Sequence, residues 1–121
     1  MNKFIKTIPE NKLCYEFVKS LNGILGLTDR ELRVFSVLMS LQIRDIDLKL
    51  TRVSVDRKEN RKFMERECGI SRENLSRYIS LYKRKGLLIK NIYGDTLVYM
   101  PLIPDIIGSK TVQISLILKL E

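Results

Sequence analysis

Residues 57–90 read RKENRKFMERECGISRENLSRYISLYKRKGLLIK. The centre of this stretch is Gly69-Ile70-Ser71. Glycine takes the left-handed conformation that ends a helix at no steric cost. Isoleucine plugs the angle between two helices. Serine caps the second one by accepting a hydrogen bond from a free backbone N–H. From Arg72 onward, Leu75, Tyr78, Ile79 and Tyr82 recur at i, i+3, i+4 and i+7, which is one apolar face of a helix. The other face carries Arg72, Glu73, Ser76, Arg77, Ser80, Lys83 and Arg84. Gly86 stops this helix. Leu87-Leu88-Ile89 and residues 96–100 follow as strands around a turn at Tyr93-Gly94-Asp95. The expected order is helix, turn, helix, hairpin.

The charge is concentrated in the same place. Residues 57–90 hold eleven Lys and Arg against four Glu, a net +7 of the chain's +8. A local excess of this size is the electrostatic footprint of a polyanion binder. The apolar fraction of 45% allows a core in a chain of 121 residues, and this length suits one domain. Cys14 and Cys68 both fall on apolar helical faces and are expected as buried free thiols. No apolar run approaches the roughly 18 residues that a membrane span needs. The first residues lack the apolar core of a signal peptide. A cytoplasmic protein is expected.

Upstream, residues 1–8 are expected as an extended or loose arm, with Pro9 in the first turn of a helix. Leu13, Cys14, Phe17, Val18 and Leu21 continue that helix, and Asn22-Gly23 ends it. Thr28-Asp29-Arg30-Glu31 has the form of a capping box. It opens a helix reaching about Gln42 that is apolar around most of its circumference. Residues 44–56 suggest short strands with a bend near Thr51-Arg52, and residues 53–55 are the candidate to pair with the hairpin. On a strand, Asp45 and Asp47 share a face and read as solvated carboxylates. Asp56 or Asn60 is expected to cap the next helix, with Phe63, Met64 and Cys68 inward. After Pro101 and Pro104, residues 111–120 alternate apolar and polar, the pattern of a strand. A terminal strand this apolar needs a partner, its own sheet or a second chain.

The chain resembles the winged helix-turn-helix superfamily over residues 28–101. The resemblance is carried by the Gly69-Ile70-Ser71 turn, the Leu75/Tyr78/Ile79 face and Lys85-Gly86-Leu87-Leu88-Ile89, which is similar to the junction into the wing. Val98-Tyr99-Met100-Pro101 is also similar to wing ends in replication proteins of small Firmicute plasmids and phages. Glu65 departs from the pattern, which usually has a small residue four before the glycine. The resemblance implies an α+β, mainly α fold: a three-helix core with a β-hairpin wing. Residues 1–27 add an arm and helix, and residues 102–121 an extension with a strand.

The function it implies is sequence-specific binding of double-stranded DNA, as a homodimeric regulator of transcription. A replication-initiation or partition protein, and a winged-helix module for protein contacts, are the alternatives. Base reading falls to Arg72, Glu73, Asn74, Ser76 and Arg77. Arginine pairs with guanine, asparagine with adenine, and glutamate accepts from cytosine. Phosphate is the alternative ligand for Ser71 and Ser76. Arg57, Lys58, Arg61 and Lys62 crowd the start of the first motif helix, where phosphates meet the positive end of the helix dipole. Lys83 suits the DNA backbone, and Lys90, Asn91 and Tyr93 approach the wing tip. The chain has no histidine, which removes the usual triads and the commonest general base. No enzyme activity, cofactor or metal is expected.

Overall fold

A computed structural model describes residues 7–50, 53–99 and 119–121. A 3-10 turn (Glu10–Lys12) leads into helices α1 (Leu13–Ser20), α2 (Asn22–Leu25), α3 (Asp29–Asp47), α4 (Lys58–Cys68) and α5 (Arg72–Arg84), then strands β1 (Leu88–Lys90) and β2 (Thr96–Val98). The architecture is mainly helical, with one two-stranded antiparallel sheet that pairs Leu88 with Val98 and Lys90 with Thr96. Among the described residues, no helix is long and apolar enough to cross a membrane.

α3 is the centre of the core. The capping box forms as expected: the Thr28 hydroxyl accepts from the Glu31 N–H, and the Glu31 carboxylate accepts from the Thr28 N–H. Leu32, Val34, Phe35, Leu38, Met39 and Leu41 are buried in one cluster with Phe17 and Val18 of α1, Met64 of α4, and Leu75, Ile79 and Tyr82 of α5. The Phe35 and Tyr82 rings lie 5.0 Å apart. The Tyr82 hydroxyl donates to the Glu31 carbonyl at 2.7 Å, and burial pushes this phenol's pKa up.

The junctions around the turn follow the sequence. Gly69 adopts φ 62°, and the Ile70 N–H reaches back to the Glu65 carbonyl. The Ser71 hydroxyl accepts from the Asn74 N–H at 3.1 Å. Gly86, at φ 74°, follows the end of α5.

Several expectations are corrected. α3 runs on to Asp47 instead of ending near Gln42, so Ile46, Leu48 and Leu50 do not form a strand. The physical reason is that Gln42 and Asp45 are buried. With them counted as inward, Leu38, Leu41, Gln42 and Asp45 continue the helical spacing. Val53 to Val55 forms no regular strand. It contributes one backbone bond, from the Val55 N–H to the Thr96 carbonyl at 2.9 Å, and the Ser54 hydroxyl accepts from the Thr96 N–H. Asn22-Gly23 does not end the first helical stretch. The chain makes one more helical turn, closed by Gly26 at φ 64°, because the Asn22 carboxamide clamps the Leu27 backbone through both N–H and C=O.

Neither Asp56 nor Asn60 caps α4. Arg57 stands at that position without a side-chain cap. The expected arm falls mostly outside the described residues, as do the bend at 51–52 and residue 100. Of the expected terminal strand, only residues 119 and 120 are described, and they have no regular structure.

The hairpin is fixed to the core by a side chain. The buried Gln42 carboxamide accepts from the Val98 N–H at 2.5 Å and donates to the Val98 carbonyl at 3.4 Å. Gln42→Leu strands both Val98 groups, at about 1–3 kcal/mol for each buried group left unpaired. Urea unfolding is expected to show a loss of about 3 kcal/mol, while α3 keeps its helicity.

Cys14 and Cys68 are both free and half-buried. Burial pushes the Cys14 thiol up to about 11. Its thiolate population at pH 8 is therefore roughly 100-fold below that of an ordinary thiol. Timed alkylation read by mass spectrometry is expected to label Cys14 correspondingly slowly. The folded thiol holds its proton more tightly than the unfolded one. Folding stability therefore falls as pH rises from the ordinary thiol value toward 11.

Candidate nucleic-acid interface

α5 divides cleanly. Leu75, Ile79 and Tyr82 face the core, while Arg72, Glu73, Ser76, Arg77 and Ser80 are exposed. Asn74 is half-buried, and its carboxamide oxygen accepts from the Arg77 guanidinium. Arg77 is thus braced one turn from its own helix start. The Ser71 oxygen is engaged as the cap of α5.

The cations of residues 57–90 separate into two groups. Lys58 and Lys62, in the first turns of α4, are exposed and make no ion pair with a described residue. Arg66, Arg72, Arg84 and Lys90 are exposed as well, and Lys83 is half-buried. Arg77 is exposed and held to Asn74, and the other cations are engaged within the fold. Arg61 pairs with Asp56 at 2.6 Å and donates to the Ser76 hydroxyl at 2.5 Å, bridging α4 to α5. Arg57 lies 3.6 Å from Asp45. Its Nε is buried without a hydrogen-bond partner, and the nearest Glu59 oxygen, at 3.9 Å, is too far. Lys85 donates to the Leu25 and Gly26 carbonyls, where its charge neutralises the negative end of α2. Arg30 does the same for α4 through the Cys68 carbonyl at 3.2 Å.

Behind this surface is a polar knot that sequence reasoning missed. Asp45 is fully buried on α3. It accepts from Arg44 at 3.1 Å and from the Asn60 carboxamide at 3.2 Å. Asn60, buried on α4, also donates to the Ser54 carbonyl at 3.0 Å. The start of α4 is therefore pinned to the end of α3 and to the segment that meets β2. The pairing of Asp45 with Asp47 as solvated carboxylates is corrected: Asp47 is exposed, Asp45 is not. On a helix, residues two apart point to different sides.

These contacts also place the hairpin. Thr96 stands at the tip end of β2 and bonds to Ser54 and Val55, immediately before α4. The first turns of α4 reach α5 through Arg61 and Ser76. The tip end of β2, the start of α4 and Ser76 of α5 are accordingly linked through successive contacts. Asn91 holds the tip turn, its side-chain oxygen accepting from the Tyr93 and Asp95 N–H groups. Tyr93 is exposed, and beside it Ile92 is almost wholly exposed. The sequence alone does not single out Ile92, because an isoleucine after a strand reads as more strand.

Compared with family models, curated proteins and solved structures, the chain finds no match.

Asp45→Ala leaves Arg44 and Arg57 without their shared carboxylate and removes one of the two acceptors of the Asn60 carboxamide. Both arginines are partly exposed, so the full cost of breaking a buried pair is reduced to about 2 kcal/mol. Thermal unfolding is expected to separate this variant from Asp47→Ala, which stays within about 0.5 kcal/mol of the parent.

Proposed function

We propose that this chain is a winged helix-turn-helix protein that binds double-stranded DNA sequence-specifically, as a homodimeric regulator of transcription. One observation carries the reading. The N-terminal half of α5 exposes Arg72, Glu73, Ser76 and Arg77, while the helix is held from behind by Leu75, Ile79 and Tyr82. Rigid backing matters because base reading needs side chains placed on a firm element. The left-handed Gly69 and the Ser71 cap fix how α5 leaves α4. Lys58 and Lys62 on α4, and Lys90 on the hairpin, add exposed positive charge on the neighbouring elements.

In this reading α5 lies in the major groove and the start of α4 crosses the backbone. Arg72 and Arg77 read base edges, Lys58 and Lys62 meet phosphates, and Lys90 meets the backbone beside the hairpin. Arg57, Arg61 and Lys85 hold the frame. Dimerisation rests on the apolar alternation of residues 111–120. It predicts a dimeric mass by light scattering at micromolar concentration, and a monomeric mass would sink it.

Fluorescence anisotropy on mixed-sequence duplex DNA across a salt series tests the binding. Affinity is expected to fall steeply with salt. Arg72→Ala/Arg77→Ala is expected to weaken binding roughly tenfold or more. Removing a phosphate-binding cation on another element, as in Lys58→Ala, reduces the salt slope by about 1. Unchanged binding by the double variant would move the contact surface to α4, and no binding at low salt would remove DNA from the reading.

A further inference from the structure

Contacts within the protein set the hydrogen-bonding polarity of the outer face of α5. The Arg61 guanidinium donates to the Ser76 hydroxyl oxygen at 2.5 Å. An arginine only donates, so the serine is an acceptor toward α4 and keeps its own proton for a second partner. Ser20, Ser36 and Ser40 give that proton to carbonyls of their own helices. Ser76 is exposed and makes no such bond to a described residue.

Asn74 is polarised in the same sense. Its carboxamide oxygen accepts from the Arg77 guanidinium one turn along the helix. Because a guanidinium has no acceptor, this contact decides which end of the amide is which: oxygen toward Arg77, N–H groups away from it. A carboxamide that reads adenine offers its oxygen to N6 and its nitrogen to N7 together. In Asn74 that oxygen is already engaged.

The first turns of α5 therefore offer mainly donors: Arg72, Arg77 and the Ser76 hydroxyl. Glu73 is the exposed acceptor, and it pairs with no described cation. Leu75 is fully buried, so among residues 72–77 no apolar side chain is left outward to meet a thymine methyl. In the major groove, guanine presents two acceptors, O6 and N7, and its cytosine one donor, N4. Adenine sets a donor beside an acceptor, and thymine an acceptor beside a methyl group. A donor-rich face with a single carboxylate complements the first of these patterns.

We infer that α5 selects G·C base pairs: Arg72 and Arg77 donate to guanine O6 and N7, and Glu73 accepts from cytosine N4. The inference rests on the DNA-binding reading above and adds which bases are read. Asn74 is a positioning residue that holds Arg77, in place of the adenine contact expected from its residue type. Arg61 does the corresponding service for Ser76 from α4, fixing it as a donor.

The test uses the full chain and a pool of duplexes with a randomised segment, sequenced before and after successive rounds of binding. The wild type is expected to enrich sites centred on G·C pairs. On the enriched site, anisotropy compares guanine with two analogues. One is 7-deazaguanine, in which C–H replaces N7 and pairing is kept; the other is inosine, which lacks only the minor-groove amino group. The first is expected to weaken binding about tenfold at a core guanine, and the second to leave it unchanged. Asn74→Ala is expected to narrow the preference for G·C over A·T at one position several-fold, at unchanged salt slope. Asn74→Asp keeps the acceptor and is expected to retain the preference. A loss of helix, read by circular dichroism, would instead weaken binding at all positions together.

An enriched site centred on A·T pairs overturns the base preference and leaves DNA binding in place. Salt-dependent binding that enriches no site does the same, as does a core guanine whose N7 is removed without loss. Full preference at every position in Asn74→Ala overturns the positioning role. Absence of any binding at low salt overturns the DNA-binding reading, and the base preference with it.

Discussion

The carboxamide of Gln42 stands where a third strand would. A two-stranded hairpin is marginal by itself, and this one has only three residue pairs. One edge of β2 is satisfied by β1. Its other edge is met by Gln42 at Val98 and by Ser54 and Val55 at Thr96. The primary amide offers the same donor and acceptor as a peptide group, so it completes the ladder from a helix. Gln42 is fully buried, and neither water nor another strand replaces it at no cost. One turn further along α3, Asp45 fixes the start of α4 through Asn60. The end of a single helix thereby sets the position of both the hairpin and α4.

This dependence explains which parts of the fold were legible in the sequence. The Thr28–Glu31 box, the Gly69-Ile70-Ser71 turn, the Ser71 cap and the Leu75/Ile79/Tyr82 face all form among residues within a few positions of one another. Local chemistry decides them, and local chemistry is what a sequence displays. Gln42 and Val98 are 56 residues apart, and Asp45 and Asn60 are 15 apart. Before their partners are known, polar residues late in an apolar helix read as its exposed end. That error shortened α3, turned residues 46–50 into a strand and made a solvated pair of two aspartates in different surroundings. The Asn22 clamp on Leu27 was hidden for the same reason.

The candidate site was legible on α5 and less so around it. The count of +7 over residues 57–90 treats every cation as available. Asp56, just outside that window, and Asp45, twelve residues before it, take Arg61 and Arg57. Lys85 is taken by two carbonyls at the end of α2. A window of sequence sees the cations and misses the anions that fold back onto them. What remains outward is a smaller set, distributed over three elements. The positions of those elements are fixed by the inward cations.

The inward arginines connect fold and surface. Arg61 holds Asp56 on one side and Ser76 on the other, which ties the loop before α4 to the outer face of α5. Its guanidinium suits that place, because a planar fork serves two acceptors at once. The serine it touches lies among the residues proposed to face DNA, so the geometry of that face is linked to the segment that meets the hairpin. A shift of β2 is therefore not independent of a shift of α5: Thr96, Ser54, Asp56, Arg61 and Ser76 form a continuous path between them. The hairpin and α5 are held in one frame by these half-buried and exposed polar contacts, and the remaining exposed side chains are free to differ without loosening it.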